Sequence, residues 1–211
     1  MDRNSQPGLP TLYLIRHGET ARSLTGQHTG STDIPLTCNG EAMARDLAPL
    51  LQSARISAVL TSPLQRARRT CTLAMPGADP AVEPDLAEWD YGEYEGLITS
   101  EIWQSNPGWN VFRDRCPGGE ALSQIVARAD RLLLRLKAMS GSTALFSHGQ
   151  FGAVLAARWA GLAGDAGEHL ALDPASLSIL GPKPRHPDVP VIARWNIVPI
   201  GQLLLTEAAV G

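Results

Sequence analysis

The sequence predicts an α/β fold. Three short apolar runs stop abruptly at polar residues, and amphipathic helical stretches separate them. Residues 11–15 end at Arg16-His17-Gly18, residues 57–61 at Ser62-Pro63, and residues 143–147 at His148-Gly149. Runs of this length, carrying β-favouring Tyr13, Ile15, Val59 and Phe146, read as buried strands. Ligands of an open α/β sheet collect beyond the carboxyl ends of its strands, so Arg16, His17 and His148 stand where chemistry is expected.

Taken in order, residues 1–10 read as a flexible tail and 19–35 as a long glycine-bearing loop that starts at the histidine, the usual place for a binding loop. Thr37 offers an N-cap to a helix carrying Met43, Leu47, Leu50 and Leu51, which Pro49 should kink or stop. After the second strand, Ser62 and Pro63 read as the cap and first position of a helix with Leu64, Ala67, Cys71 and Ala74 inward. Arg66 lies in its first turns, beside the strand end, whereas Arg68 and Arg69 read as surface charges. Residues 76–84 are turn-rich. Residues 86–97 combine acids, aromatics and glycines without periodicity, as in a pocket wall, and Trp103 and Trp109 extend an aromatic region that either lids the pocket or packs on the core.

Cys116-Pro117-Gly118-Gly119 is a break, and Leu122, Ile125, Val126, Ala129, Leu132, Leu133 and Leu136 then give the best amphipathic helix of the chain. The third strand leads into a helix over about 150–160, whose N–H groups would favour an anion beside His148. Strands are expected at 176–180 and 189–195, with a proline-rich loop over 181–190 between them, and more weakly at 202–205.

A chain of 211 residues with 44% hydrophobic content suffices for one domain, taken as residues 11–211. A net charge of −3 argues against a nucleic-acid binder. The three cysteines, Cys38, Cys71 and Cys116, show no disulfide or zinc spacing, and the N-terminus has no secretory apolar core, so a cytoplasmic protein is expected. No apolar run reaches membrane-spanning length. The expected partner is a small-molecule phosphate ester, with neither nucleic acid nor membrane; a homodimer is left open.

Gathered at the strand ends are His17, His148, Arg16 and Arg66, with Glu88 in a glycine-rich loop. Guanidinium groups meet a phosphate dianion with paired, charge-assisted hydrogen bonds. A neutral imidazole can attack phosphorus in line without a metal or other cofactor, and a carboxyl group can protonate the leaving oxygen. One rival is a metal hydrolase built on His17, His28, His148, Asp33 and Glu88, which lacks any close ligand pair. Another is a phospho-ligand binding module without catalysis.

Leu14-Ile15-Arg16-His17-Gly18-Glu19-Thr20, Thr61-Ser62-Pro63-Leu64-Gln65-Arg66-Ala67, residues 88–96 and Ser147-His148-Gly149 together resemble the histidine phosphatase (phosphoglycerate mutase-like) superfamily. The resemblance implies a three-layer α/β/α sandwich with a mostly parallel central sheet and a covalent phosphohistidine on His17. It implies that Arg16, Arg66 and His148 form the phosphate pocket, that Glu88 is the general acid, and that Ser23, Thr29, Gly30 and Gly149 bind substrate. The match is closest to broad-specificity and sugar-bisphosphatase-like phosphatases. It departs from the usual pattern at Arg22, where many relatives have tryptophan, and at Ser23, where mutases have asparagine. Arg22 reads as a surface substitution, or else as a cation favouring a second anionic group. The interval 97–120 holds only Arg113 and Arg115, too short and too weakly basic for the mutase insertion, so hydrolysis is expected over phosphotransfer.

Overall fold

The computed structural model describes residues 8–199. Six strands form one sheet: β1 (Thr11–Arg16), β2 (Ala58–Thr61), β3 (Ala81–Val82), β4 (Ser142–Ser147), β5 (Leu177–Lys183) and β6 (His186–Ile197). Their order is β3-β2-β4-β1-β5-β6. The β3–β2, β2–β4 and β4–β1 pairs are parallel; β5 and β6 add antiparallel on one side. The helices are α1 (Ala21–Thr25), α2 (Cys38–Asp46), α3 (Ala48–Gln52), α4 (Gln65–Ala74), α5 (Thr99–Ser105), α6 (Leu122–Lys137) and α7 (Gly149–Trp159).

Strand alternation explains the three layers. Leu12 and Leu14 of β1 and Leu145 of β4 bury into one core with Ile125, Leu132 and Leu136 of α6 and Val154 and Leu155 of α7. Ile15, Ala144 and Phe146 point the other way, onto Leu47, Leu51, Cys71 and Ala74 of the α2–α4 layer. The result is the expected α/β/α sandwich, with β1 and β4 in the middle of the sheet.

Several local expectations are corrected. The 19–35 loop contains α1, capped by Thr20 and Ser23 in a reciprocal box and ended by Gly26 in the left-handed conformation. Ser62 does not cap α4. Its oxygen receives only Leu64 N–H at 3.3 Å, and the first helical N–H, that of Gln65, is taken by Asp33 from the distant loop at 2.8 Å. The proline-rich 181–190 segment is not a loop but the tight end of the β5–β6 hairpin, turning at Arg185 with φ 63°. Of its prolines, Pro187 and Pro190 lie on β6, an edge strand, Pro184 lies in the turn, and Pro182 lies in β5 beyond the residues that pair with β1. His186 accordingly starts a strand. Pro49 sits at the start of a second helix, α3, so the expected break is found. Within the expected tail, Leu9 packs on the core, Pro10 is buried, and residues 1–7 lie outside the described residues, as does the weak strand at 202–205.

Candidate active site

The two histidines are brought together by strand register. Arg16 pairs with Ser147 across the parallel β1–β4 ladder, and His17 N–H donates to the Ser147 carbonyl at 3.0 Å. The residues that follow, His17 and His148, therefore emerge side by side with ring centroids 5.2 Å apart. Gly18 lets the chain turn away beneath α2: a Cβ there would lie 2.3 Å from the Gly40 carbonyl oxygen.

His17 Nδ1 lies 2.7 Å from the Gly18 carbonyl oxygen. A carbonyl only accepts, so Nδ1 carries the proton and Nε2 keeps the lone pair. Burial, and then the charges of Arg16 and Arg66, push His17 well below the ordinary imidazole value, and burial with Arg66, His17 and Arg16 does the same to His148. Both rings are neutral near neutral pH. His148 Nε2 meets the Ser62 hydroxyl at 2.7 Å, which is the task Ser62 performs instead of capping.

Arg16 donates Nη1 to the Leu172 carbonyl. Arg66 is completely buried and donates its terminal nitrogens to the carbonyls of Thr29, Gly30 and Thr32 at 2.8 to 3.2 Å. Most of Arg66 is thus committed to the 27–33 loop, and only its Nε is left over. Among the described residues, five buried side-chain polar atoms have no protein partner, and three of them are Arg16 Nε, Arg66 Nε and His148 Nδ1. Leaving such a donor unpaired costs about 1–3 kcal/mol, so three in one place mark a site shaped for an acceptor-rich ligand.

Glu88 sits at the N-terminus of α7. Its oxygens accept from Trp89 N–H at 2.9 Å, Phe151 N–H at 2.8 Å and Gln150 N–H at 3.1 Å. The segment carrying it is clamped by Arg128 of α6, which donates to the carbonyls of Asp85, Ala87 and Glu88, pairs with Glu120, and stacks over Phe151 at 4.5 Å. Opposite, Glu95 holds the 27–33 loop by accepting from Gly30 N–H at 2.8 Å, Ser31 N–H at 3.0 Å and the Thr32 hydroxyl at 2.6 Å. A Cβ at Gly30 would lie 2.0 Å from the Trp89 carbonyl oxygen, so only glycine lets this loop lie against the Glu88 segment.

Between these parts lies a cavity of about 190 Å³. Arg16, His17, Glu88, Ser23, Thr29 and Gly149 line it; Arg66, His148 and Gly30 lie behind the wall. Ser23 turns its hydroxyl to the Thr20 carbonyl at 3.0 Å and receives Thr20 N–H at 2.8 Å, so the expected donor to a phosphate oxygen is engaged in capping α1. Arg22 is ion-paired to Glu95 at 3.8 Å and does not line the cavity. Thr20, Gln27, Tyr91 and Gln150 also line it; Thr20 and Tyr91 fall within the stretches that carry the family resemblance, but none of the four is named there as a site residue, because polar residues of irregular segments have no periodic signature. Trp89 belongs to the core, and Trp109 is buried against His28 and Tyr94, whereas Trp103 is half exposed. Among the described residues, no three His, Cys, Asp or Glu side chains are grouped as metal donors.

A family model for the histidine phosphatase superfamily (branch 1) matches residues 12–197. The chain belongs to the histidine phosphatase superfamily. It is 41% identical over 174 residues to an acid phosphatase of Mycobacterium tuberculosis, a match covering 81% of this chain and 85% of the relative. It is 34% identical to the sedoheptulose 1,7-bisphosphatase of Saccharomyces cerevisiae, covering 72% and 68%. The solved structure of an open reading frame product from M. tuberculosis superposes with a TM-score of 0.83 at 37% identity, over 93% of this chain and 99% of that one. This histidine phosphatase is accordingly a phosphatase rather than a binding module. No helix of the described residues is long and apolar enough to cross a membrane.

Proposed function

We propose that the chain hydrolyses small phosphate monoesters without a metal, through a phosphohistidine on His17. The observation that carries this is the set of unpaired buried nitrogens, Arg16 Nε, Arg66 Nε and His148 Nδ1, close to a histidine whose Nε2 lone pair is free. Phosphoryl oxygens would be met first by Arg16, which lines the cavity and keeps only Nη1 on the Leu172 carbonyl, with Arg66 and His148 adding positive charge and polarity from behind its wall. The Arg16 guanidinium lies alongside the start of α7, 3.4 Å from where a Cβ on Gly149 would stand, an ordinary van der Waals distance.

In the first step the Nε2 lone pair attacks phosphorus, the N–P bond forms and the ester P–O bond breaks, while Glu88 hands a proton to the departing alcohol oxygen. In the second step water attacks the phosphohistidine, Glu88 takes the water proton, and inorganic phosphate leaves with the Nε2 lone pair restored.

The reading extends to residues 11–211 acting as one catalytic domain and to a cytoplasmic setting. All three thiols are unpaired, and burial pushes those of Cys71 and Cys116 up to about 12. The test is phosphate release from a panel of sugar phosphates, phosphoglycerates, nucleotides and an aryl phosphate, in chelator, for wild type beside His17→Ala. Turnover by wild type alone, with phosphate trapped on His17, is expected. Turnover surviving in His17→Ala, or abolished by chelator, overturns the reading.

A further inference from the structure

His28 and Gln150 line two cavities at once. Besides the catalytic cavity they border a second one of about 220 Å³, closed by Thr99, Trp103, Trp109, Phe112 and Glu168. The two cavities thus adjoin at His28 and Gln150, and the second has Trp103, Trp109 and Phe112 in its lining.

The polar edges of these rings are already occupied. Trp103 Nε1 donates to the Trp109 carbonyl at 2.9 Å, Trp109 Nε1 donates to the Arg115 carbonyl at 3.2 Å, and His28 Nε2 meets the Thr99 hydroxyl at 3.2 Å. What remains is ring surface, and Trp103 leaves 49% of its area exposed at this place. The charges are likewise spent. Both oxygens of Glu168 are bound by Arg113, and one also takes Asn110. Burial holds His28 below its ordinary value although Glu95 opposes this, so it is uncharged near neutral pH. Arg22, the cation that a second anionic group would need, stands 3.8 Å from Glu95 with its Nη1 making no hydrogen bond, and it lines neither cavity. Among the described residues, Arg16 is the one guanidinium lining either cavity, and it belongs to the phosphoryl group. A second phosphate or carboxylate would be desolvated here without a counter-charge.

We propose that the second cavity is the leaving-group subsite and that it takes the uncharged, ring-bearing alcohol of a phosphate monoester, excluding alcohols that carry a further anionic group. This rests on the phosphatase reading of the neighbouring cavity. Stacking on the exposed Trp103 supplies the affinity, and the absence of a guanidinium or ammonium group from the lining of the second cavity supplies the exclusion.

The experiment compares 2-naphthylmethyl phosphate, its 6-carboxy analogue, a sugar bisphosphate and glycerol phosphate, four esters of unactivated alcohols. The ring ester should exceed its carboxylated analogue and the bisphosphate in kcat/KM by about tenfold or more, and Trp103→Ala should lower the ring ester about tenfold relative to glycerol phosphate. Trp103→Phe should restore that ratio. Equal turnover of the carboxylated ester, or a Trp103→Ala loss shared by all four substrates, overturns the subsite. Calorimetric binding of naphthylmethylphosphonate to wild type and Trp103→Ala reads the subsite without turnover. If no ester is hydrolysed by wild type, the phosphatase reading fails, and the phosphonate still decides: an affinity unchanged by Trp103→Ala overturns the subsite, and one lowered tenfold sustains it.

Discussion

The two halves of the catalytic cavity are held by different forces. Arg16, His17 and His148 are placed by the backbone: each follows from the register of β1 against β4, and no side chain is needed to bring the histidines together. Glu88, Thr29 and Gly30 lie in irregular chain and are placed by three charged side chains, the buried Arg66 and Arg128 and the part-buried Glu95, which take up carbonyl and N–H groups that no ladder satisfies. The first half should tolerate loss of a side chain with little damage to folding. The second should not, because each of its organisers satisfies several buried backbone groups at once.

The largest effect tests the strand-end half directly. His17→Ala removes the nucleophile and should abolish both turnover and phosphohistidine, measured by alkaline-quench labelling and counting of base-stable, acid-labile phosphate. Its urea midpoint should stay close to that of wild type. Arg16→Ala should cost ~2.7–4 kcal/mol in transition-state stabilisation, by analogy with deletion of one oxyanion donor. A loss of rate below tenfold would show that Arg16 does not contact the phosphoryl group.

Arg128→Met is the matching experiment in the loop half. It strips donors from the carbonyls of Asp85, Ala87 and Glu88 and leaves Glu120 without its ion partner. A buried carbonyl left without its donor costs about 1–3 kcal/mol, so the urea midpoint should fall where that of His17→Ala does not. Equal midpoints for the two variants would erase the distinction between the halves. Glu88→Gln should slow esters of poor leaving groups far more than aryl phosphates, because an aryl oxide departs without a proton. Equal losses on both substrates would leave Glu88 as a helix cap alone.

The same division explains what could be read in the sequence. The ends of β1 and β4 are legible because a buried strand is a short apolar run and its end is an abrupt change, so Arg16, His17 and His148 stand out in a single sequence. Arg66 was legible as a residue beside a strand end, but its commitment to three loop carbonyls was not, since those partners are 34 to 37 positions away. Ser62 shows the same limit: a serine before a proline reads as a cap, yet its partner is His148, 86 positions on. The 181–190 hairpin was missed because proline counts against a strand unless the strand is known to be an edge. Tyr91 and Gln150 carried no signal, because which residues of an irregular segment face a cavity depends on how its neighbours pack.

A smaller, pH-linked effect sharpens the contrast between catalysis and folding at the strand ends. In the folded protein His17 and His148 bind protons only well below pH 6.5, mainly because they are buried and then because Arg16 and Arg66 stand beside them. Above pH 6.5 both are neutral folded or unfolded, and they add no pH dependence to stability. As pH falls below 6.5 the unfolded chain takes up protons that the folded chain refuses, so stability declines until the folded values are reached. Each such proton contributes a slope of at most about 1.4 kcal/mol per pH unit. His17, meanwhile, keeps its lone pair through this window, so its own ionisation should not reduce kcat/KM between pH 7.5 and 5.5. Urea midpoints at those two pH values should therefore fall in wild type and fall less in His17→Asn, which lacks one of the two protons. An identical decline in both would mean that His17 titrates alike in the folded and unfolded chains, and that the cavity leaves its proton affinity unchanged.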